Sequence, residues 1–301
     1  MTDRLEVIAD DGNLVGEGPI WDGERNRLLW TDISSSLVYQ IDAGGNKSII
    51  NRGLVVNGIG LNADGRLVFS GAGGLFLWSG EGEYRNIASE HDGEALSFND
   101  MIVGPQGRVY AGTMYWGDDG KEKDGKLYLF DAAGGVEVVA EGIELSNGLG
   151  FSPDEGTLYF SDSAARRIYT FDVDAGTGRL ENRRVFVQVP RDEGIPDGMT
   201  VDAEGFVWSA QWYGEQVVRY DPDGRVERRL QMPVKQVSAV AFGGPDLDEL
   251  YITSAGESWP SDAAPPGYDS AAPNIGGPLY RLRVDVRGKP EFRAAFEQGS
   301  G

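Results

Sequence analysis

Six times along this chain a polar residue, in most copies followed by glycine, opens a short apolar strand. The copies are Glu17-Gly18-Pro19-Ile20-Trp21, Asn57-Gly58-Ile59-Gly60-Leu61, Asn99-Asp100-Met101-Ile102-Val103, Ser146-Asn147-Gly148-Leu149, Asp197-Gly198-Met199-Thr200-Val201 and Ser238-Ala239-Val240-Ala241-Phe242. Counted from Glu17 through Asn57, Asn99, Asn147 and Asp197 to Ser238, the steps are 40, 42, 48, 50 and 41 residues. A period of that size marks a chain built by repetition, in which one supersecondary unit is stacked against the next.

Each copy leads through a turn, often Asp-Gly, Gln-Gly or Glu-Gly, into a second apolar run such as Arg27–Asp32, Thr157–Asp162 or Glu249–Thr253. A third run follows (Leu37–Ile41, Lys126–Phe130 or Gln216–Tyr220), then an Asp/Gly turn and a weaker fourth strand. No amphipathic helical period is sustained over three turns. Six repeats of about four antiparallel strands predict an all-β fold, a six-bladed β-propeller with four-stranded antiparallel blades. No linker-like break interrupts the repeat, so residues 1–301 read as a single domain. Ring closure calls for a strand from a far terminus. Arg4–Ile8 is the candidate for the sixth blade, and the segment Glu291–Phe296 competes for the place.

In such a blade the loop entering the first strand and the loop joining the second and third lie on one side. Glu17, Asn57, Asn99, Asn147, Asp197 and Ser238 are therefore expected to ring one mouth of the central channel. Around them come the loops Thr113–Gly117 and Gln211–Gly214, which carry Tyr115, Trp116, Trp212 and Tyr213, and the long stretch from Ser254 to Gly277.

Composition narrows the chemistry. There is no Cys and one His, so thiolate sites, disulfides and His-rich metal clusters are excluded, and His91 lies in a polar loop with no nucleophile-elbow serine elsewhere. With 48 acidic against 27 basic residues, the formal charge of −21 repels phosphate backbones and anionic lipid. Neither nucleic acid nor membrane is an expected partner. The start Met1–Val7 has no apolar targeting core, so a cytoplasmic protein is expected. A turn preference of Asn and Asp accounts for any one ring position, but it gives no reason for Glu at Glu17. Oxygen ligands without His or Cys suit one hard divalent cation, Ca²⁺ first, with Mg²⁺, Mn²⁺, Zn²⁺ or Fe²⁺ as alternatives. One ion held by Glu17, Asn147 and Asp197, with Asn99 beside it, leaves positions open for water and substrate.

Gly16-Glu17-Gly18-Pro19-Ile20-Trp21-Asp22, Asn99-Asp100 with Gly112-Thr113-Met114, Ser146-Asn147-Gly148-Leu149 and Pro196-Asp197-Gly198-Met199 together resemble the senescence-marker-protein/gluconolactonase/regucalcin family. The resemblance runs in order over nearly the whole chain. It implies a propeller with a divalent cation in its channel, ligands at Glu17, Asn147 and Asp197, a substrate-facing Asn99 and an acid/base at Asp197. Sugar-lactone members carry an Arg where this chain has Ser97, and some offer a Glu where it has Tyr115 and Trp116. The expectation is a metal-dependent hydrolase that opens a lactone less polar than a sugar aldonolactone. Asn99, Asn57, Tyr115, Trp116 and Trp212 are expected to meet a small lactone or ester substrate. Phosphotriester or fluorophosphate hydrolysis on the same ring is the enzymatic alternative, and a non-catalytic calcium-binding propeller is the other.

Overall fold

A computed structural model describes residues 4–117, 120–257 and 263–297. Six four-stranded antiparallel blades follow one another as a β-propeller, five of them running in chain order from an inner strand to an outer one. Blade 1 comprises Gly16–Asp22, Arg27–Asp32, Leu37–Ile41 and Lys47–Arg52. The inner strands of blades 2 to 6 are Gly58–Asn62, Phe98–Val103, Ser146–Phe151, Ile195–Val201 and Val237–Gly243. Blade 6 is completed by Glu6–Ala9, which pairs antiparallel with Leu279–Arg283. The N-terminal strand therefore closes the ring, shifted by one to two residues from the predicted span. Among the described residues no helix is long and apolar enough to cross a membrane.

The second strand of each blade reads as an unbroken apolar run because neighbouring blades cover both its faces. Along Arg27–Asp32, Leu28 and Trp30 pack towards Tyr251 and Leu279 of blade 6, whereas Leu29 packs towards Ile59 and Phe69 of blade 2. One strand with side chains alternating between its faces thus serves two interfaces. The apolar core is a ring of such clusters between blades.

Part of the acidic surplus is spent on turns. Asp42 Oδ1 accepts from the backbone N–H groups of Gly44 and Asn46, Asp131 Oδ1 from Ala133 and Gly135, and Asp221 Oδ1 from Asp223 and Arg225. The same device recurs between third and fourth strands, where a carboxylate satisfies donors that the tight turn leaves unpaired.

The C-terminal segment takes a different place from the one in blade 6. Arg293–Ala294 pairs in parallel with Leu61–Asn62, on the inner strand of blade 2. Asn62 grips Phe296 from both sides, donating to its carbonyl at 3.0 Å and accepting from its N–H at 3.1 Å. Arg293 donates to Asp22 at 2.8 Å and pairs with Glu24 at 3.1 Å. Residues 289–292 consequently line the end of the channel away from the mouth.

Burial raises the Asp22 carboxyl, but hydrogen bonds from Arg293 and Arg27 outweigh it and hold the group below its ordinary value. A depressed carboxylate stabilises the fold above its unfolded value near 4, and that contribution vanishes as pH falls through the folded value. Arg293→Met is therefore expected to lower Tm at pH 7 by roughly 2–3 °C, equivalent to about 1–2 kcal/mol. The difference should shrink as pH falls through the depressed folded value of Asp22. Equal melting at pH 7, or a gap that persists undiminished at pH 3, would contradict this clasp.

Candidate functional site

The inner strands are irregular where they enter the mouth. In blades 4 and 5 the ladder runs from Ser146–Asp162 to Leu149–Phe160 and from Pro196–Gln211 to Met199–Ser209. Asn147-Gly148 and Asp197-Gly198 thus face a single residue each, which is a β-bulge. In blade 3 the ladder steps from Phe98–Thr113 to Asp100–Gly112, leaving Asn99 as the extra residue. A bulge turns a side chain out of the strand's alternation, here towards the channel axis. The following glycines allow the blades to crowd there. A Cβ on Gly148 would lie 2.5 Å from the Asp197 carbonyl oxygen, and one on Gly198 would lie 2.4 Å from the Ala239 Cβ.

Glu17, Asn57, Asn99, Asn147 and Asp197 line one cavity of about 370 Å³ at the mouth. The sixth ring residue, Ser238, does not: its hydroxyl is buried and donates to the Gly16 carbonyl at 2.5 Å, with Thr253 Oγ1 at 2.9 Å. The carboxamides are oriented from behind. Asn57 Nδ2 donates to Phe98 O at 2.9 Å, Asn99 Nδ2 to Ser146 O at 2.7 Å and Asn147 Nδ2 to Ser163 Oγ at 3.1 Å. Against the two carbonyls a flipped amide would set two acceptors together, so the Asn57 and Asn99 Oδ1 atoms are kept off these partners. Ser163 in turn donates to Pro196 O at 2.6 Å, and Ser161 to Asp197 O at 3.0 Å, tying blade 4 to the segment that carries Asp197.

The loops entering blades 1 and 4 are held by matching carboxylates. Asp32 accepts from Leu14 N at 3.1 Å and Val15 N at 3.0 Å, and Asp162 from Glu144 N at 3.1 Å and Leu145 N at 2.9 Å. Both end a second strand, so the signal lay in the repeated Thr31-Asp32 and Ser161-Asp162 pairs.

Electrostatically the ring is under load. Burial pushes the Glu17 carboxyl up to about 8, with the nearby Asp100 charge adding to the effect and the Gly18 N–H, 3.0 Å from Oε2, opposing it. Burial likewise pushes Asp100 up to about 7. Asp197, 3% exposed, is raised well above the carboxylate range by burial, then by Glu17 and by Asp100. Its Oδ1 and the Asn57 Oδ1 are buried and meet no hydrogen-bond donor. Unpaired buried acceptors beside repelling carboxylates are costly, and a hard cation satisfies both. No group of three His, Cys, Asp or Glu able to hold a metal occurs among the described residues. The donor set is instead the mixture of carboxylates and carboxamides at Glu17, Asn99, Asn147 and Asp197, and that chemistry fits Ca²⁺.

Asp100 was missing from the predicted site. It lies beside Glu17 along the channel below the mouth, in a compartment whose far end meets Lys289 and Glu291.

The mouth walls come from the loops between second and third strands. Met114, Trp116, Trp212, Tyr213 and Ala263 line the cavity with Leu145 and Ile195. The Trp212 indole N–H is buried and has no partner among the described residues. Tyr115 corrects the expectation: it is not in the lining, and the Lys123 ammonium sits 4.1 Å from its ring centre. Ser34 and Glu257, hydrogen-bonded at 3.1 Å, add a polar rim that sequence reasoning missed. No Lys or Arg is among the described lining residues.

A family model described as the SMP-30/Gluconolactonase/LRE-like region matches residues 15–256. The pentonolactonase XacC of Haloferax volcanii is 37% identical over 294 residues, which cover 97% of this chain and 98% of that protein. The 6-deoxy-6-sulfogluconolactonase of Pseudomonas putida is 32% identical over 295 residues, again 97% of this chain and 98% of the relative. The crystal structure of a calcium-binding protein, regucalcin, from Agrobacterium tumefaciens superposes with a TM-score of 0.83 at 28% identity, covering 99% of this chain and 98% of that one. With the propeller, the carboxylate–carboxamide ring and a match over most of its length in hand, this chain belongs to the SMP-30/gluconolactonase/LRE-like family.

Proposed function

We propose that this protein is a divalent-cation-dependent lactonase working at the mouth of the channel. The observation that carries the reading is Asp197, a buried carboxylate whose Oδ1 meets no protein donor, set among carboxamides in a cavity large enough for a small ring. Relatives named as lactonases over nearly the full length support it. Glu17, Asn147 and Asp197 would hold the cation, with Asn99 beside them. When bound, it supplies Lewis-acid polarisation of the lactone carbonyl and compensates the charge of the oxyanion.

The chain's own groups do the rest. Asp197 accepts a proton from water as the water oxygen bonds to the carbonyl carbon, then gives that proton to the ring oxygen as the C–O bond breaks. A free hydroxy acid leaves. Asn57 and Asn99 orient the carbonyl or the water.

The walls favour a substrate less polar than an aldonolactone. Each substrate hydroxyl buried without a partner costs about 1–3 kcal/mol, whereas apolar contact gains about 25 cal/mol per Å². Trp116, Trp212, Met114, Leu145 and Ile195 supply apolar contact, while outside the ring the polar partners among the described lining residues are Ser34 and Glu257, with no Lys or Arg. An alkyl- or aryl-substituted lactone is expected to exceed gluconolactone and a pentonolactone in kcat/KM by roughly ten-fold. The test is a panel of these lactones with a phosphotriester alongside, run with and without chelator. Preference for the sugar lactones would overturn the substrate assignment, and turnover of the phosphotriester alone would overturn the reaction class.

A further inference from the structure

Arg166 sits behind the cavity wall and joins three loops by hydrogen bonds. It follows the second strand of blade 4, adopts a left-handed backbone conformation with φ 57°, and is 6% exposed. Its guanidinium faces carbonyls only. Nη1 donates to Ala263 O at 2.8 Å, while Nη2 reaches Pro190 O at 2.5 Å, Glu193 O at 2.6 Å and Gly194 O at 2.9 Å. Among the described residues Glu193 and Asp192 act on it through their charge, against that of Arg191, without a close ion pair, and Nε is buried without a partner. A buried cation without a close ion pair is costly unless its geometry is needed.

The acceptors show what the geometry fixes. Ala263 belongs to the long loop of blade 6 and itself lines the mouth cavity. Gly194 immediately precedes Ile195, another lining residue, on the strand that carries Asp197. Ala164, two residues before Arg166, is the third. Beyond this clasp, Ala263, Ala264 and Tyr268 pack on Ile195, Trp212 and Tyr213, with the Tyr213 and Tyr268 rings 4.6 Å apart. A planar five-donor fork can span four carbonyls on two segments, whereas a lysine ammonium is a point donor.

We infer that Arg166 is a positioning residue that sets the width of the substrate cavity by clamping the rims of blades 4, 5 and 6 together. The clamp selects compact lactones over those with bulky substituents, an inference that rests on the lactonase reading for its substrate but not for its geometry.

Arg166→Lys and Arg166→Met are compared with wild type in two ways. Hydrogen–deuterium exchange, which needs no turnover, is expected to quicken in residues 190–195 and 263–277 and to stay unchanged in the strands of blades 1 to 3. Kinetics on an unsubstituted five-membered lactone should show KM raised about ten-fold with kcat within about two-fold, and the preference for it over a bulky aryl lactone should fall by a similar factor. Lysine should recover less than half of the loss. Should the methionine variant fail to fold, the lysine variant carries both measurements. Unchanged exchange in the two segments, or an unchanged preference between the lactones, overturns the inference. If wild type opens no lactone at all, the lactonase reading falls while the exchange measurement still decides the clamp.

Discussion

Asp197→Asn is expected to lower kcat by about 10³ while leaving a measurable, weaker affinity for calcium. The amide keeps an oxygen in the position of the carboxylate but takes up no proton from water, so the ligand role survives in part and the base role does not. Steady-state kinetics on the best lactone of the panel, with calorimetric titration of calcium, separates the two roles. Near wild-type turnover in a variant that binds calcium normally would remove Asp197 from the reaction. Loss of calcium binding together with turnover would show a ligand whose catalytic part is not separable.

Stripping the cation is the second large effect. Burial raises Glu17, Asp100 and Asp197, with the Asp100 charge adding at Glu17 and both of those charges adding at Asp197, and without a counter-charge that strain opposes folding. Calcium supplied at about a hundred times its dissociation constant should add about 2.7 kcal/mol, seen as a rise in Tm of roughly 4 °C. Chelation should return Tm to its lower value and abolish turnover, with both recovered on adding calcium back. Glu17→Gln should reduce the calcium-induced shift to less than half. Full turnover in chelator, or a Tm indifferent to calcium in wild type, is the result that rejects a cation at this ring.

The blades were legible because each repeat writes its strands as apolar runs and its turns as Asp/Gly pairs, signals that survive without any knowledge of the neighbours. The ring was legible for a related reason: a polar residue opening an apolar strand, six times along the chain and four times ahead of glycine, has no local explanation at Glu17. What hid Asp100 is the bulge at Asn99. Strict alternation sends adjacent side chains to opposite faces, so a reading of the strand allows one of the pair to face the channel and not both. The register shift between Phe98 and Asp100 relaxes that rule. Ser238 was misplaced since its short hydroxyl finds Gly16 O and Thr253 within reach, a fact of packing between the last blade and the first. Tyr115 was misplaced because a loop's sequence names its residues without saying which way each one turns. Ser34 and Glu257 come together from loops far apart in the chain, and nothing local marks them.

The closing strand also imposes a timetable on synthesis. Glu6 meets Arg281 across 275 residues, so the strand Glu6–Ala9 leaves the ribosome long before the strand it pairs with. At the usual 5–20 residues per second the delay is roughly 15–55 s, during which Glu6–Ala9 has no partner and blade 6 does not exist. A growing propeller accordingly offers an open edge at its advancing end until the chain is nearly complete. Charge offers one safeguard: a chain with a surplus of 21 negative charges repels its unfinished neighbours on the same messenger. Chains interrupted before residue 279 lack the partner of that strand altogether, and a cell that makes them gains fragments with two unpaired edges rather than smaller versions of the protein.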